Sequence, residues 1–358
     1  MDSSATRPAS ALLRVAVVIP ALHRPDLTSR CIDSVLKQGL PPEDYEIILV
    51  ENDAPRGPIL PDPLPSRVQR LLLAKNFGFT GAVNRGIASR SSKYVLLLNN
   101  DVELAPDFMK VLLDRMEPAP LAGIAGGKLL SAADPMILDG AADALLLGGG
   151  AYRLGHGDPD TGQFTATNVL ACCGAALLVR RSVLDELGGL DENFFAYLDD
   201  MDLALRARLR GYQVIYVPEA SAYHAGSATL GEPLHPKMVE WMTRNQFFLL
   251  IKNYPASMFL RLFPRICVYQ LLWFSRAVAE NRFSSYLRGV WGVLKSFAAM
   301  WRARRHIQRT RCLTPRELLT SLRQSENQIA DWQESLPPQR RSKLLSTYFL
   351  LCGRARMN

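Results

Sequence analysis

Two amides and a carboxylate follow an apolar run in the segment "SKYVLLLNNDVELAP" (92–106). The apolar run suits a buried strand, and Asn99, Asn100 and Asp101 come directly after it. Amide and carboxylate oxygens at such a position can bind a ribose or a divalent cation. A plain turn uses the same residue types, so this strand end alone leaves both interpretations open.

A second acidic cluster lies in "FFAYLDDMDLALRARLRGY" (194–212). Asp199 and Asp200 stand at the start of a predicted helix that ends near Gly211, and acidic residues there complement the helix dipole. That role accounts for one or two of Asp199, Asp200 and Asp202, and Asp199 can serve as the helix cap. The preceding aromatic residues fit a substrate platform as well as a core: Phe194, Phe195 and Tyr197.

His224 is the third candidate. It follows a strand-like segment and precedes Gly226 in "YVPEASAYHAGSAT" (216–229). A neutral imidazole is a common metal ligand, but a lone histidine is more often a packing or surface residue. The residue taken by itself leaves both roles open.

The elements that must position these side chains alternate between strand and helix. Strands are predicted at 14–20, 45–51, 68–74 and 94–99, with helices at 26–38, within 76–90 and from Pro106 onward. Buried strands alternating with helices predict an α/β fold with a mostly parallel sheet. Each strand ends in a polar or glycine-containing segment, and ligands bind at the carboxyl ends of such sheets. Residues 54–66 and 118–165 are predicted to form loops.

The chain changes character near residue 236, where long amphipathic helical patterns begin. "TPRE" (314–317) is a further helix start. Residues 256–358 hold 18 Lys+Arg and 5 Asp+Glu, whereas the rest of the chain has a net charge of −5. This asymmetry predicts an anionic partner, either a membrane surface or a nucleic acid. Trp273, Trp291 and Trp301 suit an interfacial helix, and equally a helical core or dimer interface.

Composition sets the remaining limits. The chain has 358 residues, 48% of them hydrophobic, which predicts one large domain with an appendage or two domains. Its six cysteines lack metal-ligand spacing and suit reduced thiols. The first residues lack the apolar core of a signal peptide. The most apolar window, "MFLRLFPRICVYQLLWF" (258–274), contains two arginines and a proline, so a membrane-spanning helix is not expected.

Four motifs in sequence order resemble those of the inverting glycosyltransferases of family 2, which have the GT-A fold. They are "VVIPALHRPDLTSRCIDSVLKQ" (17–38), "NFGFTGAVNRGI" (76–87), "LLLNND" (96–101), and the segment 174–229 with its acidic pair and histidine. The similarity runs from about residue 14 to 229, with a weaker echo in "RNQFFLLIKNYP" (244–255). The most similar branch is that of rhamnosyltransferase-like enzymes of bacterial surface polysaccharide assembly.

This resemblance implies a metal site and a nucleotide site. Asp101 corresponds to the metal-binding carboxylate of the D-x-D motif, with Asn99 in place of its first Asp, and His224 completes the metal site. The implied cofactor is Mn²⁺ or Mg²⁺, and the imidazole favours Mn²⁺. Glu51 stands where the family has an Asp that contacts the base. The residues implied in nucleotide-sugar binding are Pro20, Ala21, His23, Glu51, Asn76, Asn84, Asn99 and Asn100.

The resemblance also implies a general base for the acceptor hydroxyl. The family places it on the second member of the acidic pair, which is Asp200 here, with Asp199 as the alternative. A helix N-terminus lowers the pKa of a carboxylate, whereas burial beside aromatic residues raises it. The sequence leaves the balance between these two effects open.

The implied function is sugar transfer from a nucleotide-sugar donor to a lipid-linked or polysaccharide acceptor in bacterial surface glycan synthesis. A GT-A catalytic domain is expected at 1–235 and a basic helical region at 236–358, in a cytoplasmic protein at the inner face of the membrane. Residues 256–358 would bind anionic lipid or form a homo-oligomer; with no RNA-binding signature, nucleic acid is not expected. One alternative is an inactive nucleotide-binding adaptor whose tail binds a membrane or nucleic acid. A nucleotidyltransferase would leave the acidic pair and the histidine unexplained.

Overall fold

The computed structural model describes residues 12–53, 57–226 and 234–356. Strands and helices alternate in the first half, and helices alone follow residue 236. In chain order the elements are β1 Leu13–Ala21, α1 Pro25–Leu36, β2 Tyr45–Asn52, β3 Val68–Leu73, α2 Gly78–Ser89, β4 Ser92–Leu98, β5 Val102–Leu104, α3 Phe108–Met116, β6 Ala122–Ser131, β7 Leu138–Gly140, β8 Asp143–Leu145, β9 Ala151–Arg153, β10 Ala176–Arg180, α4 Arg181–Leu187, α5 Asp199–Leu209, β11 Gln213–His224, α6 Pro236–Asn253, α7 Ala256–Ala279, α8 Phe283–Thr310, α9 Pro315–Ser335 and α10 Lys343–Cys352.

A mixed sheet forms the centre of the molecule. Its strand order is β3-β2-β1-β4-β10-β6-β11-β5, with β7 paired to β6, and β8 and β9 form a separate two-stranded sheet. The four predicted strands β1 to β4 are parallel, so their carboxyl ends lie at one edge. The antiparallel strand β10 separates them from β6 and β11. This confirms the α/β class predicted from the sequence.

Alternate residues of the central strands enter two different cores. Val15, Val17 and Ile19 of β1 pack in one cluster, while Ala16 and Val18 pack in the other. Side chains alternate across a strand, so this strand is buried on both faces. The continuous apolar pattern of β1 therefore reflects a sheet covered by helices on each side.

The helix predicted to begin at Pro106 begins two residues later. A short strand, β5, first pairs antiparallel with the end of β11, and Asp107 then adopts a left-handed conformation before α3. The expectation was wrong because Asp107, with a φ of 63°, breaks the backbone that a helix starting at Pro106 would need. The sequence carries no sign of β5 either, since a three-residue strand is defined by its distant partner. The pairing sets Val102 opposite His224.

The prediction of loops throughout 118–165 was also wrong. This stretch contains β6 in the middle of the sheet, along with β7, β8 and β9. Its glycines suggested a loop, but they are required by close packing. A Cβ on Gly126 would lie 2.4 Å from Cys172 Cβ, and one on Gly127 would lie 2.2 Å from the carbonyl oxygen of Ala220.

The helical region shares its core with the sheet. Phe248 and Leu249 of α6 and Leu318 of α9 belong to the same cluster as Val18 of β1. The domain boundary near residue 236 stays a prediction. Helix α9 begins as predicted, with Thr314 and the glutamate three residues on forming a reciprocal capping box.

The three tryptophans of this region occupy different environments. Trp273 is buried and donates its indole N–H to Thr243 Oγ1 at 2.8 Å, so of the two alternatives it fits the helical core. Trp291 and Trp301 are 57% and 46% exposed. Among the described helices, none combines the length and the hydropathy needed to cross a bilayer.

A buried ion-pair network attaches α6 to the acidic helix α5. Lys252 Nζ lies 2.9 Å from Asp202 Oδ2 and 2.6 Å from Asp191 Oδ2, and Arg206 Nε lies 2.7 Å from Asp202. Asp202 is fully buried, and its interaction with Lys252 and Arg206 lowers its pKa although burial acts in the opposite direction. Asp202 is therefore a structural anchor for α5.

Lys252→Met is expected to lower the free energy of unfolding by about 3 kcal/mol, because it leaves buried carboxylates without their ammonium partner. Denaturant unfolding followed by circular dichroism measures the change. Lys37→Met, at an exposed lysine, is the matched control and should change stability by less than about 0.5 kcal/mol. Equal stability of the two variants would show that the network does not anchor α6.

Candidate active site

The carboxyl ends of β1 and β2 enclose a cavity of about 250 Å³. It is lined by His23 and Glu51, which are both predicted to bind the nucleotide. Pro20 and Ala21 are the last two residues of β1. Glu51 is 1% exposed; its Oε2 accepts a hydrogen bond from the Ile59 N–H at 3.0 Å. Its other oxygen lies 3.2 Å from Arg70 Nε. If Glu51 contacts the nucleotide base, it does so with a carboxylate that also forms an ion pair with Arg70.

The amides that follow β4 face this region. The Asn100 side chain donates to the His23 carbonyl at 3.0 Å and to Thr28 Oγ1 at 2.9 Å, which ties the end of β4 to the β1–α1 loop. Asn99 Oδ1 is buried and lacks a hydrogen-bond partner among the described residues. A buried amide oxygen without a partner costs free energy, and a ligand hydroxyl would satisfy it.

The asparagines of the glycine-rich segment organise its backbone. Asn76 Oδ1 accepts from the Gly78 N–H at 2.8 Å. Gly78 has a φ of +74°, and a Cβ there would lie 2.5 Å from the ring of Phe195. Asn84 bonds both backbone groups of Leu190, donating at 2.8 Å and accepting at 2.9 Å. These contacts are structural, and ligand binding by Asn76 and Asn84 stays a prediction.

Asp101 and His224 come together at the paired ends of β5 and β11. His224 Nε2 lies 3.4 Å from Asp101 Oδ1, and the Ala225 N–H donates to the Asp101 carbonyl at 3.0 Å. Both side chains are at most 10% exposed. The two predicted metal ligands are thus adjacent, although 122 residues of sequence lie between them.

Asp139 orients the His224 ring. Its Oδ2 lies 2.7 Å from His224 Nδ1, and since an ionised carboxylate only accepts, Nδ1 donates. In the protonated ring Nε2–H points towards Asp101, and a cation bound there would take the place of that proton. Burial alone would lower the pKa of His224, but hydrogen bonds with Asp101 and Asp139 outweigh it and raise the pKa to about 9.

The same segment brings two more charged residues that sequence reasoning missed. Arg153 Nη1 lies 2.6 Å from Asp139 Oδ2, and its Nε lies 3.8 Å from Asp143 Oδ1. Burial raises the pKa of Asp143 to about 7, although the charge of Arg153 acts against this. Asp139, Asp143 and Arg153 were missed because they stand on the short strands β7 to β9, where no periodic pattern marks them.

Asp200 lies at the far end of this charged series. One of its oxygens accepts from the Gly174 N–H and the other from the Met201 N–H, each at 2.8 Å. Ligand atoms of Asp143, Cys173 and Asp200 lie within 4.8 Å of one another. Burial raises the pKa of the Cys173 thiol well above its usual range, and a protonated thiol is a poor metal ligand.

The expectation that Asp199 caps α5 was wrong. Leu198 is the N-cap residue, in a left-handed conformation and without a side-chain cap. Asp199 is instead 6% exposed, and burial together with the charge of Asp200 raises its pKa well above the ordinary value. The two carboxylates therefore differ in environment: Asp199 is enclosed by the protein, whereas Asp200 accepts from backbone N–H groups beside Gly174.

The aromatic run before α5 divides between core and site. Phe194 is fully buried and packs against Phe248, as a core residue does. Phe195 and Tyr197 instead face Trp241 of α6, with ring centroids 5.0 and 6.2 Å apart. Trp241 gave no signal in the sequence because its partners lie on another element.

This loop carries backbone strain that α6 holds in place. Phe195, Tyr197 and Leu198 all have positive φ, which costs about 1–3 kcal/mol at each non-glycine residue. The Asn245 side chain donates to the carbonyls of Phe194, Ala196 and Tyr197 at 3.1, 2.8 and 2.7 Å. Strain fixed so firmly is typical of a site whose side chains must keep one orientation.

The sequence has recognisable relatives. It is 32% identical over 187 residues to an N-acetylglucosaminyl-diphospho-decaprenol L-rhamnosyltransferase of Mycobacterium tuberculosis, covering 46% of this chain and 61% of that protein. It is 28% identical over 240 residues to the O-antigen biosynthesis protein RfbC of Myxococcus xanthus, covering 64% of this chain. The matched part spans only 19% of the Myxococcus protein.

A solved structure, that of GalNAc-T7 with UDP, GalNAc and Mn²⁺, superimposes with a TM-score of 0.55 at 14% identity. It covers 76% of this chain and 54% of that one, and it shares the GT-A type of mixed sheet. The family model described as "Glycosyltransferase like family 2" matches residues 13–247, which confirms the resemblance found in the motifs. The chain belongs to glycosyltransferase family 2.

Proposed function

We propose that this protein transfers a sugar from a nucleotide-sugar to a lipid-linked or polysaccharide acceptor, with inversion at the anomeric carbon and with Asp200 as general base. The observation that carries the proposal is a continuous series of buried and half-buried charged groups. It runs from Asp101 and His224 through Asp139, Arg153 and Asp143 to Asp200. One end suits a cation and the other suits a proton acceptor.

Asp101 and His224 fit a divalent cation. Two ligands that each lie ~2.1 Å from one ion are separated by roughly 3–4 Å, and the observed separation is 3.4 Å. The hydrogen bond from Nδ1 to Asp139 is the arrangement that metal-bound histidines normally have. A cation held there would neutralise charge on the diphosphate leaving group. Mn²⁺ bound in GalNAc-T7 supports the same type of cofactor, with Mg²⁺ as the alternative.

Asp200 is assigned to the proton transfer. In an inverting displacement the acceptor oxygen bonds to the anomeric carbon while the bond from that carbon to the diphosphate oxygen breaks. The hydroxyl proton passes to a carboxylate, and the products are the glycoside and a nucleoside diphosphate. Backbone N–H groups of Gly174 and Met201 fix the Asp200 carboxylate in one orientation. The rings of Phe195 and Tyr197, on the loop that precedes α5, and of Trp241 on α6 suit an apolar sugar face.

The acceptor class rests on the relatives. The Mycobacterium protein is named for transfer to a decaprenol-linked N-acetylglucosaminyl diphosphate, and the Myxococcus protein for O-antigen biosynthesis. Both names support a lipid-linked or polysaccharide acceptor, handled here at the cytoplasmic face of the membrane.

The proposal is tested by incubating the purified protein with a panel of nucleotide-sugars, a polyprenyl-diphosphate-linked sugar and Mn²⁺. We expect release of nucleoside diphosphate and a new glycoside whose anomeric configuration, read by NMR, is opposite to that of the donor. Asp200→Asn is the matched inactive control. Nucleotide binding without transfer across the whole panel would identify the protein as a binding adaptor, and retained configuration would overturn the inverting mechanism.

A further inference from the structure

Helix α8 has an exposed apolar face about four turns long. Leu287, Trp291, Leu294, Phe297 and Trp301 follow one another at helical spacing and are 46–62% exposed. The opposite face packs on α6 so closely that a Cβ on its glycine 289 would lie 2.6 Å from a backbone oxygen of α6. The exposed stripe is therefore not the face that α8 uses for its own core.

Helix α7 continues this apolar surface. Leu260, Phe263 and Leu271 are 74%, 52% and 64% exposed. The two helices meet where the rings of Phe274 and Phe283 pack edge to face, with their centroids 6.0 Å apart. Exposed apolar area that extends over two adjacent helices exceeds what isolated surface residues produce and marks an interaction surface.

The surface is strongly basic. Residues 256–310, which include α7 and α8, contain ten Lys+Arg and one Glu. Lys295 stands 5.7 Å from the Trp291 ring, and Arg302 and Arg305 are exposed next to Trp301. An apolar stripe bordered by Lys and Arg with tryptophan among its members is the pattern of a helix that lies in a membrane interface.

A basic cavity of about 460 Å³ opens beside the start of α7. The described lining residues include no acid. They include five arginines: Arg261, Arg265, Arg323, Arg354 and Arg356. Arg265 also pairs with Glu326 at 2.6 Å, and Arg354 with acids of α9, so part of this charge is compensated. Exposed apolar residues flank the arginines in sequence: Leu260, Phe263, Leu350 and Leu351.

We propose that the faces of α7 and α8 dock on an anionic phospholipid surface, with the arginine-lined cavity binding a lipid phosphate headgroup. Guanidinium groups match phosphate oxygens, while Leu, Phe and Trp side chains at the same surface enter the acyl region. A second copy of this chain is a poorer occupant, because pairing two such surfaces would oppose arginines to arginines.

The docking places the site next to the lipid. Trp241 and Arg244 of α6 contact the aromatic loop of the site, and Gly292 of α8 packs directly on Arg244. The surface therefore lies one helix away from the acceptor platform. The use of this placement for a lipid-linked acceptor rests on the proposed function, whereas lipid binding itself does not.

Co-sedimentation of the full chain with vesicles tests the docking. We expect binding to vesicles that contain phosphatidylglycerol, weak binding to phosphatidylcholine alone, and release at high salt. Trp291→Ser with Leu294→Ser should lower partitioning at least about 10-fold. Arg261→Gln with Arg356→Gln should lower it by roughly 25-fold, at ~5-fold per charge. All four side chains are exposed, so folding should be retained.

Matched controls lie in the sheet half of the chain, outside α7 and α8. Met136→Ser and Arg115→Gln alter residues that are 69% and 57% exposed and should leave lipid binding unchanged. If inorganic phosphate competes with the vesicles, and Arg261→Gln with Arg356→Gln still lowers vesicle binding, the result supports a headgroup site. Equal binding to both vesicle types, binding to neither, or dissociation of a dimer by Trp291→Ser with Leu294→Ser would overturn the docking. Transfer to a short water-soluble acceptor, measured in parallel, separates this outcome from failure of the proposed function.

Discussion

Asp200→Asn is expected to bind the nucleotide-sugar with unchanged affinity and to lose about 10²–10⁴-fold in turnover. The carboxylate is placed to accept the proton of the acceptor hydroxyl and does not contact the diphosphate in the proposed reaction. Asparagine keeps the shape, and its single Oδ1 can accept from one of the two backbone N–H groups, of Gly174 or of Met201, that the carboxylate oxygens bind. The substitution therefore removes the base and leaves the loop in place. Steady-state kinetics and donor titration by calorimetry measure the two effects separately.

Asp199→Asn is the matched companion, since it is the same change one residue earlier. The pKa of Asp199 is raised in the folded protein. At a pH above the ordinary carboxyl pKa, ionising Asp199 therefore lowers the stability of the folded protein, and an amide avoids that loss. We therefore expect near-normal turnover and equal or higher stability at neutral pH. Collapse of turnover in Asp199→Asn, with near-normal turnover in Asp200→Asn, would transfer the role of base to Asp199. Normal turnover in both would remove the acidic pair from the mechanism.

Asp101→Asn is expected to abolish transfer and to weaken Mn²⁺-dependent binding of a nucleoside diphosphate by more than about 100-fold. Loss of a group that merely orients a ligand costs ~10–100-fold in metal affinity, and loss of a direct carboxylate ligand costs more. Calorimetric titration of Mn²⁺ in the presence of nucleoside diphosphate measures this. Glu103→Gln, two residues along and on β5, is the control and should behave as the unmodified protein.

The neighbours of Asp101 grade the same effect. Asp139→Asn should weaken Mn²⁺ binding by ~10–100-fold, because it removes the acceptor that orients His224. His224→Ala should weaken metal binding more mildly than Asp101→Asn, since a neutral ligand is lost rather than a charged one. Full activity of Asp101→Asn in the presence of a chelator would refute the metal assignment, whatever the other two variants do.

Much of the catalytic half follows from local sequence. The strands β1 to β4 carry continuous apolar runs because both of their faces are covered, and this pattern requires no knowledge of partners. The order of the family motifs, from the β1 end to His224, likewise predicts which strand ends share a rim. Asp101, Asp200 and His224 are predicted as site residues in this way.

Tertiary structure alone decided what surrounds those residues. Asp139, Asp143 and Arg153 stand on three-residue strands in a glycine-rich stretch, where neither periodicity nor spacing marks a charge as functional. Asp139 contacts His224, and Asp143 lies near Asp200. Only the folded chain brings these residues together. Short strands are defined by their partners, and partners are not encoded locally.

The sequence by itself determined the fold class, the family and the polar ends of four strands, because buried strands and family motifs are local patterns. It also determined that residues 256–358 are helical and basic. Only the tertiary structure decided which face of each helix remains exposed, burying Trp273 and leaving Trp291 in solvent on the next helix. Both tryptophans look alike in sequence; their difference arises from how α7 and α8 pack on α6, an arrangement set by contacts between residues far apart in the chain.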